Sequence, residues 1–307
     1  MKAIIFPGQG SQKAGMASEF YSNFKIVKNI FDRADNALKF NLSKIILNGT
    51  DEDLKKTEIT QPAILLTSFA IFSVLKQEFD FDLSKIKYVA GHSLGEYSAL
   101  VASQSLSLED GLTLVHERGK LMQAAVPENE GAMLAVMGLS LEELNLLISK
   151  FDTEKGICEI ANDNSPGQII LSGNKGKLES FSETLKTKKK RSIFLPVSAP
   201  FHCSLMKSAA ESMKLILQKT EFKKPSLELI SNVTALPVGI DGDIKNLLYK
   251  QIFSQVRWRE TVEFMIKNNT NDFIEIGPGK VLSGLVKRTN DKVLTRSLTK
   301  IDDIKNL

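Results

Sequence analysis

Apolar positions along the chain fall into two kinds of run. Short unbroken ones at 3–6, 88–90 and 273–276 predict buried strands, and longer ones with helical spacing predict helices over about 18–39, 62–79, 94–103, 108–125 and 203–220. Each of the three strands stops at glycine: Pro7-Gly8-Gln9-Gly10, Gly91-His92-Ser93-Leu94-Gly95 and Gly277-Pro278-Gly279. Within the 62–79 segment, Thr60 reads as the cap and Pro62 as a first-turn residue. A further strand over 227–231 and two helices flanking Trp258 complete this part of the pattern.

After Pro127 the texture changes. A strand at 133–137 is followed by a helix at 141–151, opened by the capping pair Ser140 and Glu143. Strands at 158–161 and 168–172, a helix at 178–186 and a strand at 192–197 follow. Strand, helix, strand, strand, helix, strand is the ferredoxin-like order. The expected fold is therefore α/β: an α/β-hydrolase-like parallel-sheet large domain, residues 1–127 and 198–307, carrying an inserted ferredoxin-like small domain, residues 128–197.

Composition narrows the classes of function. A chain of 307 residues with 42% hydrophobic and 25% charged residues can bury a core without staples. Two cysteines, Cys158 and Cys203, form neither a disulfide framework nor a metal-ligand spacing, so a reducing, cytoplasmic setting is expected. Pro7 and Gly8 interrupt the first apolar stretch, so no targeting peptide is read there. The most apolar region, 63–75, is too short to span a bilayer. A net charge of +4 does not argue for nucleic acid. The one dense basic run, Lys186 to Arg191, reads as a solvated loop or as a surface that attracts an acidic partner.

Gly91-His92-Ser93-Leu94-Gly95 fits the G-x-S-x-G nucleophile elbow, with an apolar strand before it and a helix after it. A serine hydroxyl needs a base within reach. Among three histidines, His92 adjoins Ser93 and should point elsewhere, and His116 sits inside a helix as a structural residue. His202 remains, after Ala199-Pro200-Phe201 and at the expected start of a helix. Cys203 lacks an elbow and reads as a small buried residue. No acid stands out as the third member of a triad; a carboxylate or a backbone carbonyl would each fix the imidazole tautomer.

Six blocks occur in order: Phe6-Pro7-Gly8-Gln9-Gly10-Ser11-Gln12, Gly91 to Tyr97, Arg118-Gly119 with Met122-Gln123, Asn162 to Gln168, Pro200-Phe201-His202 and Glu275 to Gly279. Together, and over essentially the whole chain, they resemble the malonyl-CoA:acyl carrier protein transacylases. That resemblance implies a malonyl group moved from malonyl-CoA to acyl carrier protein through an acyl-serine on Ser93, with His202 as base. It implies an oxyanion hole from the N–H groups of Gln9 and Leu94, a carboxylate clamp at Arg118, and the main-chain carbonyl of Gln251 orienting His202. Asn162 and Asn164 would line the cleft, and Phe201, where several family members carry a small residue, would favour malonyl over methylmalonyl. No metal or redox cofactor, no membrane and no nucleic acid are implied, and a monomer is expected. Two other readings use the same residues: a serine hydrolase or thioesterase, and a silent binding protein, against which intact Ser93, His202 and Arg118 argue.

Overall fold

The computed structural model describes residues 1–151, 155–197, 199–239 and 243–307. It is a mixed α/β structure with two sheets. The first sheet is parallel, built from β1 (Lys2–Phe6), β2 (Ile86–Gly91), β7 (Glu228–Leu229), β8 (Asp272–Ile276) and β9 (Leu294–Leu298), in the order β7-β2-β1-β8-β9. The second is antiparallel, built from β3 (Gly131–Met137), β4 (Cys158–Ser165), β5 (Gln168–Asn174) and β6 (Arg191–Phe194), in the order β4-β5-β3-β6.

The unbroken apolar runs are explained by burial on both faces. Side chains alternate across a strand, so β1 sends Ile4 and Phe6 into one core and Ala3 and Ile5 into another. The first core is shared with the helix Thr57–Gln77; the second with Trp258, Val262 and Met265 of the helix Trp258–Lys267. The antiparallel sheet divides likewise. Leu134, Val136 and Leu171 pack on the helices Leu141–Phe151 and Lys175–Thr187, while Met133, Ala135 and Ile170 join the large core. The antiparallel sheet is tied to the second core where Val256, buried in that core, exchanges backbone bonds with β4: its N–H donates to Ala161 and its carbonyl accepts from Asp163. The carboxyl ends of β1, β2 and β8 stand side by side, which in open parallel sheets is where ligands bind.

Several elements differ from the sequence reading. The 62–79 helix begins at Thr57, so Pro62 lies inside it and Thr60 is not its cap; the Thr60 hydroxyl donates back to Leu54 and Lys56 carbonyls. Proline removes the bond that the Glu58 carbonyl would accept. His116 supplies the missing donor, its Nδ1–H lying 2.7 Å from that oxygen. Gly119, one turn on, lets this approach happen, since a Cβ there would sit 2.7 Å from Glu58 Cα. This helix is long and apolar enough to cross a membrane, but it is enclosed by the protein core.

The 18–39 helix is broken at Phe24, whose extended backbone lets its ring meet Phe20 and Phe79. β4 runs four residues beyond the expected strand, through polar Asn162 to Ser165, because it pairs with the Val256 segment as well as with β5. The 192–197 and 227–231 strands are shorter, as β6 and β7. His202 does not open a helix: a 3-10 turn, Ser204–Met206, intervenes before the helix Lys207–Lys219. All strands of the antiparallel sheet lie between residues 131 and 194. Ser198, where the second segment of the large domain was expected to begin, lies outside the described residues.

His116→Ala should cost about 1–2 kcal/mol in urea unfolding, because the Glu58 carbonyl loses its donor. Adding Pro62→Ala should restore part of that loss, since alanine brings back the helical N–H. Strictly additive losses in the double variant would contradict this pairing.

Candidate functional site

The bend after β2 leaves no room for side chains at its two glycines. A Cβ on Gly91 would lie 1.9 Å from the Gly95 carbonyl, and one on Gly95 would lie 2.3 Å from the Phe6 oxygen. Between them Ser93 is held at φ +53°, a left-handed backbone that costs a non-glycine residue about 1–3 kcal/mol. The Asn232 side chain clamps the bend. Its Nδ2 donates to the Gly91 carbonyl at 2.7 Å, and its Oδ1 accepts the Ser93 N–H at 2.7 Å. The loop after β1 presses on the same bend, as Gly8 has no space for a Cβ beside the His92 carbonyl.

His202 reaches this point from a separate segment, also with a left-handed backbone, φ +61°. Its Nε2 lies 2.8 Å from Ser93 Oγ, and its Nδ1 lies 2.8 Å from the Gln251 carbonyl. A carbonyl only accepts, so Nδ1 carries the proton and Nε2 is left to accept from the serine hydroxyl. The third partner of the imidazole is thus a main-chain oxygen, not a carboxylate. Burial, helped by the nearby Arg118 cation, pushes the His202 imidazole down to about 3, while the Gln251 carbonyl pulls the other way. Ser204 anchors the segment to β4 by donating its N–H and hydroxyl to Glu159. Cys203 is fully buried and its thiol donates to Pro200.

Arg118 approaches the same hydroxyl. One terminal nitrogen is 3.0 Å from Ser93 Oγ and 2.9 Å from Gln251 Oε1; the other is 2.8 Å from Gln61 Oε1. The guanidinium is 1% exposed, lies 5.7 Å from the Tyr97 ring centre, and has no carboxylate in ion-pair contact among the described residues. A buried cation held only by neutral acceptors is a ready partner for an anionic ligand. The nearest acid in the network is Glu96, which accepts from Gln251 Nε2 at 2.7 Å and from the Asn232 N–H at 3.2 Å. Burial pushes the Glu96 carboxyl up to about 7, against the pull of its Gln251 and Asn232 bonds and of Arg118.

His202 and Arg118 therefore converge on the Ser93 hydroxyl, and Gln251 holds both of them. Leu94 follows Ser93 at the mouth of the helix Gly95–Ala102, and its N–H, like that of Gln9, makes no hydrogen bond among the described residues. Asn164 meets His92 instead of Ser93: His92 Nε2 donates to its Oδ1 at 2.8 Å, with the imidazole tilted against Trp258. Asn162, 5% exposed, bridges Val256 from the same strand. Phe201 is 7% exposed and packs in the large core directly before His202. Glu275 is structural, accepting from the N–H groups of Leu282 and Ser283 at the head of the helix Val281–Thr289.

Asn232, Glu96 as a network acid, and Gln61 were missed in the sequence. Their one signal is a polar residue where an apolar strand or helix buries its neighbours.

Comparisons with known proteins place the chain in a family. The model of the acyl transferase domain matches residues 3–305. The malonyl CoA-acyl carrier protein transacylase of Bacillus subtilis (strain 168) is 44% identical over 296 residues, covering 95% of this chain and 92% of that protein. The crystal structure of the malonyl CoA-acyl carrier protein transacylase from Clostridium perfringens ATCC 13124 superposes with a TM-score of 0.94 at 41% identity, covering 99% of this chain and 95% of that one. A malonyl-transacylase solved in complex with a type II PKS acyl-carrier protein superposes with a TM-score of 0.95 at 37% identity, covering 99% and 98%. Matched from its first strand to its last helix, with the serine bend, the imidazole and the buried guanidinium all inside the match, the chain belongs to the acyl transferase family.

Proposed function

We propose that this protein transfers the malonyl group of malonyl-CoA to the phosphopantetheine thiol of acyl carrier protein, supplying fatty acid chain elongation. One observation carries the reading: Ser93 Oγ is shared between a neutral imidazole at 2.8 Å and, at 3.0 Å, a buried guanidinium without a carboxylate partner among the described residues. The first makes the hydroxyl a nucleophile. The second gives the free carboxylate of a malonyl thioester a place to dock beside it.

Ser93 Oγ attacks the thioester carbon as His202 Nε2 takes its proton. The N–H groups of Gln9 and Leu94 receive the oxyanion, each worth about 3–4 kcal/mol in comparable acyl-transfer sites. The C–S bond then breaks, and the imidazolium returns the proton to the coenzyme A thiolate. Malonyl-Ser93 remains. The carrier protein's thiol attacks it with His202 again as base, and Ser93 regains its proton. This is ping-pong chemistry. The Gln251 carbonyl holds the imidazole through both halves and stabilises its protonated form.

Asn162 and Asn164 would line the acyl cleft from β4, and Phe201 would narrow it against an α-methyl, a discrimination of about 1–3 kcal/mol. The antiparallel sheet, with its strand–helix–strand–strand–helix–strand order and neighbours β4-β5-β3-β6, supports a ferredoxin-like small domain over 128–197 set into an α/β-hydrolase-like large domain. A monomer working in the cytoplasm fits this role.

Incubation with labelled malonyl-CoA, with and without carrier protein, tests the reading against a thioesterase using the same residues. Label should pass to the carrier protein from wild type and not from Ser93→Ala. Rapid release of free malonate with an unlabelled carrier would contradict transfer.

Arg118→Ala should lower malonyl transfer by about 3 kcal/mol, roughly a hundredfold, and acetyl transfer by much less. Equal losses on both acyl groups would refute the carboxylate clamp.

The depressed His202 value keeps the imidazole neutral, and so able to take a proton, until pH falls toward about 3. The acid limb of kcat/KM should therefore inflect below about pH 5. An inflection at the ordinary histidine value of 6.5 would contradict the burial of this base.

A further inference from the structure

Asn232 grips the two backbone groups that flank His92 in the bend: the Gly91 carbonyl through Nδ2 and the Ser93 N–H through Oδ1, both at 2.7 Å. A carboxamide offers donor and acceptor side by side, which neither a carboxylate nor an alkyl side chain can do. The Asn232 backbone N–H donates to Glu96 Oε2 at 3.2 Å. The same oxygen accepts from Gln251 Nε2 at 2.7 Å, and Gln251 Nε2 also reaches the Ser93 carbonyl at 3.0 Å. Gln251 in turn holds His202 through its main-chain oxygen and Arg118 through Oε1. Asn232, Glu96 and Gln251 are 0%, 1% and 1% exposed. One buried carboxyl oxygen therefore joins the segment that shapes the nucleophile's bend to the segment that aims the base.

We propose that Asn232 and Glu96 are positioning residues for acyl transfer: Asn232 fixes the bend that presents Ser93, and Glu96 fixes, through Gln251, the carbonyl that sets His202. Neither is in hydrogen-bond contact with Ser93 Oγ or the His202 ring, so each acts through another residue. The two catalytic side chains come from segments with no covalent reason to be in register. A misplacement of about 1 Å between reacting groups costs roughly a hundredfold in rate. The inference rests on Ser93 as nucleophile and His202 as base.

The test compares Asn232→Asp, Glu96→Ala and Glu96→Gln with wild type. Asn232→Asp keeps the shape and the acceptor for Ser93 but sets a carboxylate oxygen against the Gly91 carbonyl. Glu96→Ala removes the shared acceptor, and Glu96→Gln returns an oxygen to its place. The first readout is phosphonylation of Ser93 by a small alkyl fluorophosphonate, in which an O–P bond forms, fluoride leaves and His202 takes the hydroxyl proton. That reagent carries no carboxylate and no coenzyme A, so it reports alignment alone. The second is the split between kcat and KM for malonyl-CoA, with thermal unfolding recorded beside it.

Asn232→Asp and Glu96→Ala should each slow phosphonylation and kcat about a hundredfold, with KM within about threefold of wild type. Glu96→Gln should recover at least about tenfold of the Glu96→Ala loss. Should Glu96→Ala fail to fold, Glu96→Asp, shorter by one methylene, takes its place with the same expected direction. Phosphonylation and kcat within about threefold of wild type in Asn232→Asp and the Glu96 variant, with only the melting temperature lowered, would overturn the proposal. So would a KM that rises as much as kcat falls. An unreactive wild type would overturn the assignment of Ser93 itself, and this inference with it.

Discussion

The hydrogen bond between Ser93 Oγ and His202 Nε2 joins positions 109 residues apart, and the chain accepts local strain at both ends to make it. Each residue has a left-handed backbone without being glycine. Such conformations persist only where the surroundings over-determine them. At Ser93 the surroundings are two glycines with no space for a Cβ, the Phe6 and Gly95 carbonyls, and the Asn232 carboxamide. At His202 they are the Gln251 carbonyl and the Ser204–Glu159 anchor to the antiparallel sheet. The bend after β2 of the parallel sheet therefore presents the Ser93 hydroxyl, while His202 is braced by the last residue of the helix Asp243–Gln251 and, through Ser204, by β4 of the antiparallel sheet.

Charge is the second constraint. A guanidinium buried to 1% exposure among Gln61, Gln251 and Ser93 is costly unless an anion arrives. Burial, and after it the charge of Arg118, hold the His202 imidazole neutral. Glu96 stays one residue removed from it, behind the Gln251 amide, where burial has raised its carboxyl to about 7. No carboxylate of the described residues is in ion-pair contact with Arg118, which leaves the place beside it open to an anion.

What was legible in the sequence was what depends on local pattern. The unbroken runs of β1, β2 and β8 and their terminal glycines gave the parallel sheet and the bend at Ser93, and a count of three histidines left His202. The failures share a cause: tertiary partners override local signals. Thr60 and Pro62 imitate a helix start, but His116 from another helix satisfies the Glu58 carbonyl, and the helix starts at Thr57. Phe24 breaks a helix to reach Phe79. The polar strand β9, with Thr295, Arg296 and Ser297, went unread because it lies at a sheet edge without an apolar run. Asn232 and Glu96 were invisible as a pair because their role exists only where four distant segments meet.

The most direct measurement is the intact mass of the protein after brief exposure to an equimolar mixture of malonyl-, methylmalonyl- and acetyl-CoA, with the adduct mapped by peptide sequencing. A single malonyl group on Ser93 is expected, with little methylmalonyl or acetyl. No adduct, an adduct on another residue, or acetyl in preference to malonyl would contradict a nucleophile and a carboxylate clamp built around one hydroxyl.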